Sequence, residues 1–110
     1  MRHELKCEQI YFRSVLSGEK RFELRRDDRN YQTGDVLDLR ETIDGAFTGR
    51  SLMADVDYVL RIGPWLMSGF VAMSITPTTW KGWDHGTPTG WTRGAGDDDD
   101  QPAPPKQPSA

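Results

Sequence analysis

Cysteine is nearly absent: Cys7 stands alone in 110 residues, so no internal disulfide can form. That fits a reducing compartment. Long apolar runs are missing too. No stretch approaches the ~18 residues of a membrane-spanning helix, and the opening MRHELK has no apolar segment of the kind a secretory signal carries. These absences lead to the expectation of a cytoplasmic protein without membrane contact. An excess of positive charge is also lacking, because 14 Lys and Arg face 17 Asp and Glu, a net −3. A protein that coats DNA through bulk charge wants a broadly basic surface, so that role is excluded, although a local basic patch is not. There is no G-x-S-x-G, Walker loop or G-x-G-x-x-G, so NTPase, dinucleotide and serine-hydrolase readings find no support and no cofactor is expected. Nor is a metal expected. His3 and Cys7 lie four residues apart on a predicted strand, too far for easy chelation, and His85 is remote from both.

The last third lacks aliphatic side chains. Residues 77–110 contain no Ile, Leu, Val or Phe but hold six of the seven prolines and five of the eleven glycines. Such a segment buries too little apolar surface to offset chain entropy. The composition therefore predicts one domain over residues 1–76 and a flexible, Gly/Pro-rich acidic tail over 77–110, with a charge run at Asp97–Asp100. Three of the four tryptophans, Trp80, Trp83 and Trp91, fall in that tail. Two readings stand: Trp80 and Trp83 fold back onto the domain, or the indoles anchor a protein partner.

Within the first 76 residues the pattern is mainly β. RHELKC at 2–7 alternates, with His3, Leu5 and Cys7 on one face. Tyr11, Phe12, Val15 and Leu16 follow helical spacing within 8–17, and Gly18 stands where a helix end favours positive φ. Residues 20–26 alternate again, Phe22 and Leu24 against Arg21, Glu23 and Arg25. A strand follows at VLDLRET (36–42), and Asp44-Gly45 signals a hairpin. Further strands are predicted at about 50–60 and 69–75. One early helix and many short strands specify an α+β, mainly β fold: a small β-barrel with the helix plugging one side.

The feature to explain is SGEKRFELRRDDR. Five cations, Lys20, Arg21, Arg25, Arg26 and Arg29, crowd into ten residues around Glu23. Strand alternation puts Glu23 and Arg25 on one face, with Lys20 just past the helix. Together they can line one mouth of the barrel. A carboxylate there accepts hydrogen bonds from the exocyclic amine of a base. Lys and Arg hold phosphate or a base carbonyl. Tyr11, Tyr31 or Trp65 would offer a face for an unstacked base. The plainer alternative also stands: cations favoured at a helix C-terminus, and a same-face ion pair contributing ~0–1 kcal/mol.

Gly18, Lys20, Glu23 and Arg25 spell G-x-K-x-x-E-x-R, which resembles the motif of ASCH domains, small PUA-like β-barrels. HELK at 3–6, YF at 11–12, VLSGEK at 15–20, FELRRDDRNYQTGD at 22–35, LRE at 39–41, FTGR at 47–50 and GFVAMSI at 69–75 narrow the resemblance. They resemble a bacterial and phage domain-of-unknown-function branch of that group, over about residues 2–76. The resemblance implies a PUA-like fold and binding of RNA or a modified nucleoside or nucleotide. It singles out Lys20, Glu23 and Arg25 as ligand-binding residues, with His3, Lys6, Arg26, Arg29 and Tyr31 as further contacts. Some relatives hydrolyse acetylcytidine through a G-x-K-T-x-T-x-R motif. Lys20 matches their Lys, but Glu23 replaces their second Thr, and no glutamate follows Glu41. If this chain is an enzyme, Lys20 and Glu23 are its catalytic candidates, with Glu23 as base on water. A third expectation is a phage-type accessory protein that binds a host protein.

Overall fold

The computed structural model describes residues 1–61, 63–84 and 87–92. The first strand, β1 (Arg2–Glu8), turns His3, Leu5 and Cys7 inward as the alternation requires. Helix α1 (Gln9–Leu16) buries Phe12, Val15 and Leu16. Two turns are too few for a helix to be stable alone, so this packing holds it. It stops at Ser17 and Gly18, whose amides bond back to the Arg13 and Val15 carbonyls, Gly18 with φ +85°. Four strands complete the first 84 residues and one more follows. They are β2 (Phe22–Arg26), β3 (Val36–Ile43), β4 (Ala46–Leu60), β5 (Phe70–Asp84) and β6 (Thr87–Thr92). Asp44 and Gly45 both have positive φ, 51° and 82°, and make the predicted tight β3–β4 turn.

The strands run in the order β1-β3-β4-β5-β2, with β6 added to β5, as a strongly curled half-barrel. β1 and β3 are parallel and every other pair is antiparallel. The hydrophobic core includes Phe12, Leu37, Leu39, Leu52, Val56, Val71 and Met73. Among the described residues the fold is thus mainly β with one short helix. No helix among the described residues is long and apolar enough to cross a membrane.

Two boundaries differ from the sequence reading. β4 begins at Ala46 rather than near Arg50, because the tight turn pairs Ala46 with Ile43 and Phe47 with Thr42. A bulge then follows, where Thr48, Gly49 and Arg50 face Glu41 alone, and Gly49 takes φ +92°. The larger difference lies at residue 76. β5 crosses that point without a break, Ala54 pairing with Pro77, Met53 with Thr79 and Leu52 with Trp80. Trp80 is buried in the core. An aliphatic count overlooks Thr76, Thr78, Thr79 and Trp80, which are strand formers by β-branching or aromaticity. Pro77 is tolerated because the register slips beside it, between Met53 and Ala54. So Trp80 folds back onto the domain and is no exposed anchor. The side chains of Trp83 and Trp91, together with His85 and Asp97–Asp100, lie outside the described residues.

Candidate functional site: a cleft at the open seam

β1 and β2 end the sheet order, so each has one edge without a neighbouring strand among the described residues. Strand geometry says which main-chain groups face that seam. The Met1 carbonyl accepts from Val36, so residues 1, 3, 5 and 7 point at β3, and Glu4, Lys6 and Glu8 point away. The Arg21 carbonyl accepts from Ile75 and Asp27 donates to Gly69, so Phe22, Leu24 and Arg26 present their main chain to the seam from the other side. Two of those exposed carbonyls are capped by side chains of the cation cluster. Lys20 Nζ donates to the Phe22 carbonyl at 2.6 Å. Arg25 Nη2 reaches across to the Lys6 carbonyl at 3.0 Å, tying β2 to β1.

Both cations share one carboxylate. Glu23 is 3% exposed, an unusual place for a charge. Its Oε1 accepts from Lys20 Nζ at 2.8 Å and its Oε2 from Arg25 Nε at 2.9 Å. The alternation within 20–26 holds, but the polar face is the inner one: Phe22 and Leu24 are about half exposed while Glu23 is buried. The site owes its position to the helix end. After Gly18 the Lys20 amide bonds to the Ser14 carbonyl, which turns the chain back into β2.

A cleft of about 540 Å³ opens between the two edges. Lys6, Cys7 and Glu8 of β1 form one wall, residues 22–25 of β2 the other, and Tyr11 of α1 closes the end. Lys20 Nζ stands 4.8 Å from the Phe22 ring centroid and 5.9 Å from that of Tyr11, so an ammonium sits between two aromatic rings. Lys6 Nζ lies 5.8 Å from the Phe47 ring. Cys7 is buried at the back. Burial first, then the Glu23 charge, pushes its thiol up to about 12 against the opposing pull of Arg25 and Lys20. At neutral pH it therefore lines the cleft as an uncharged thiol. With Lys6, Lys20 and Arg25 set against Glu23 and Glu8, the cleft is rich in N–H donors. It suits an acceptor-rich ligand with a planar face.

The residues singled out in the sequence divide into two groups. Lys6, Lys20, Glu23 and Arg25 converge on the cleft. His3 does not: its Nε2 is 2.8 Å from Asp35 Oδ2, and its ring packs edge-on against Tyr31 at 4.7 Å. Tyr31 is 1% exposed, so it belongs to the core and offers no stacking face. Arg26 and Arg29 are exposed and do not line the cleft. Trp65 is 94% exposed on the β4–β5 loop, also outside it. Of the three aromatic residues considered for stacking, only Tyr11 is in place.

Sequence reasoning missed Phe22, Leu24 and Glu8 as walls. A motif confined to the opposite face of β2 was the one available signal. It also missed three further buried carboxylates, each paired. Asp35 takes bonds from His3, the amino terminus and the Gln32 amide, and Asp38 from Arg2 and Arg40. Glu41, 1% exposed, accepts from Thr48 and from both Nε and Nη2 of Arg50. No group of three or more His, Cys, Asp or Glu among the described residues is placed to hold a metal.

The chain is similar to an uncharacterized 12.9 kDa protein of the GpA 3′ region of Escherichia phage P2, 47% identical over 64 residues. That alignment covers 58% of this chain and 59% of the phage protein. A family model for a domain of unknown function, DUF3850, matches residues 2–75, which span β1 through most of the curled sheet and include every residue that lines the cleft. The chain belongs to the DUF3850 family.

Proposed function

We propose that this protein is a PUA-like barrel of the ASCH type that binds RNA or a modified nucleoside or nucleotide in the seam cleft. The observation that carries this reading is the convergence of Lys20, Glu23 and Arg25 on a cleft of about 540 Å³ flanked by Tyr11 and Phe22. The volume falls in the range of small-molecule sites. Of the two cations that hold Glu23, one N–H of Lys20 and the outer N–H groups of Arg25 are left over after the internal bonds. Both point to a ligand bearing phosphate or base carbonyls. The G-x-K-x-x-E-x-R motif supports the same assignment. Hydrolysis with Glu23 as base draws no support from the geometry, since both carboxylate oxygens already accept from cations.

The test is a thermal-shift and mass-spectrometric screen of the full chain against free and RNA-embedded modified nucleosides. A ligand that raises the melting temperature of the wild type and fails to do so in Lys20→Ala is the expected result. A ligand recovered with altered mass would make the protein an enzyme. If nothing in the panel shifts the wild type, the reading falls.

A further inference from the structure

Beyond the cleft, β2 continues in the direction away from α1. Its outward-facing side chains are Phe22, Leu24 and Arg26, a row of two exposed apolar groups and a cation. Arg26 stacks over the Phe70 ring, 5.4 Å from its centroid. Neither Arg26 nor the exposed Arg29 that follows has a carboxylate at ion-pair distance among the described residues, whereas Lys20, Arg25 and Arg61 all do. The β4–β5 loop is fastened to this same end of β2. Gly69 accepts from the Asp27 amide, Arg61 Nε donates to Asp27 Oδ2 at 2.8 Å, and Arg61 also donates to the Tyr31 carbonyl. That loop carries Trp65 and Met67, 94% and 73% exposed.

A single exposed apolar residue is ordinary. An exposed indole on a loop that an Arg61–Asp27 ion pair ties to the end of β2, the strand end that carries two cations without carboxylate partners, is the composition of a stacking platform for single-stranded nucleic acid. Cations track the phosphates, and aromatic faces take successive bases whatever their sequence. Arg26 lies three residues beyond Glu23, about 10 Å along the strand, so cleft and platform are separated by a short stretch of chain.

We propose that the cleft is one end of a track for single-stranded nucleic acid that runs along β2 past Arg26 and Arg29 and stacks a further base on Trp65. This rests on the reading of the cleft as a nucleotide site and names the ligand class: an oligonucleotide strand rather than a free nucleoside.

The test compares binding of 5′-mononucleotides and of a mixed-sequence RNA of about eight nucleotides, a length within the range of single-strand sites. The full chain is used, as wild type, Trp65→Ala, and Arg26→Ala/Arg29→Ala. The expected result has the oligonucleotide binding more tightly than any mononucleotide. Trp65→Ala then weakens the oligonucleotide at least about fivefold while leaving mononucleotide binding unchanged. The double Arg variant makes the log–log salt slope less steep by about 1.4, or about 0.7 for each phosphate that is no longer neutralised. All three side chains are exposed, so the melting temperature of Trp65→Ala stays that of the wild type and that of the double Arg variant falls by no more than the loss of the Arg26–Phe70 contact. Equal affinity for mononucleotide and oligonucleotide would overturn the track while sparing the cleft. So would an oligonucleotide affinity and salt slope that ignore these substitutions. Absence of mononucleotide and oligonucleotide binding alike would overturn both.

Discussion

Glu23, Lys20 and Arg25 show how much one buried carboxylate organises. Glu23 sits at 4% side-chain exposure with both oxygens satisfied, and each of its partners gives a second N–H to an unpaired strand-edge carbonyl. Arg25→Ala removes one half of that pairing and uncaps the Lys6 carbonyl. It should cost about 2 kcal/mol, the scale of a hydrogen bond to a charged group, as a lower denaturant midpoint with unchanged slope. Arg50→Ala should cost more, about 3 kcal/mol, because it leaves Glu41, at 1% exposure, with only Thr48. A midpoint unchanged in Arg50→Ala would mean that the Glu41 pair contributes nothing.

Asp35 supplies a pH test. Burial opposes its ionisation, but bonds from His3, the amino terminus and the Gln32 amide outweigh it, holding the carboxyl at about 2 against an ordinary 3.8. A pKa depressed on folding contributes stability that is present above the unfolded value and lost as pH falls through the folded one. Melting temperature should therefore drop as pH falls from about 4 to about 2, and the gap between wild type and Asp35→Asn should narrow across that window. A gap independent of pH would contradict the assignment. Cys7, with its thiol up at about 12, should resist a thiol reagent in the native chain at neutral pH and react at the unfolding rate.

At the scale of elements, local patterns were readable where the buried face was apolar. β1, α1 and the Asp44-Gly45 turn follow from alternation, helical spacing and positive-φ residues. The pattern of β2 was equally clear in period but inverted in sense, because apolar residues ordinarily mark the inner face. There the inner face carries Glu23, and only tertiary partners from the helix end and from β1 make that tolerable. The far half of β5 was hidden for a different reason. Its strand signal lies in Thr and Trp amid Pro and Gly, and its stabilisation comes from β4, some 25 residues earlier. Trp80→Ala should therefore cost about 3–5 kcal/mol, as a large core truncation does. A chain cut after residue 76 should unfold at lower temperature than the full chain, because β4 loses its partner from Ser51 to Ala54. Equal melting of the two chains would mean that the extension of β5 is not part of the folded unit.

For the molecule as a whole, the clustering of cations in an acidic chain has a geometric cause. Among the described residues β1 and β2 are not joined to each other by backbone pairing, so each keeps a bare edge, and bare edges invite unwanted pairing. Here the seam is tied by Arg25 and lined by Lys6 and Lys20, which leaves a concave space rich in donors where a closed barrel would have none. The motif could be found in the sequence because it is local. That β1 forms the opposite wall of the cleft could not, because the two strands meet through the order in which the sheet is assembled. A titration of the labelled full chain with nucleotides, followed by amide NMR shifts, tests the central claim most directly. Shifts confined to residues 6–11 and 20–25, with the open-edge amide of Leu24 among them, are predicted. Shifts elsewhere, or none at saturating nucleotide, would contradict the assignment of the seam as the binding site.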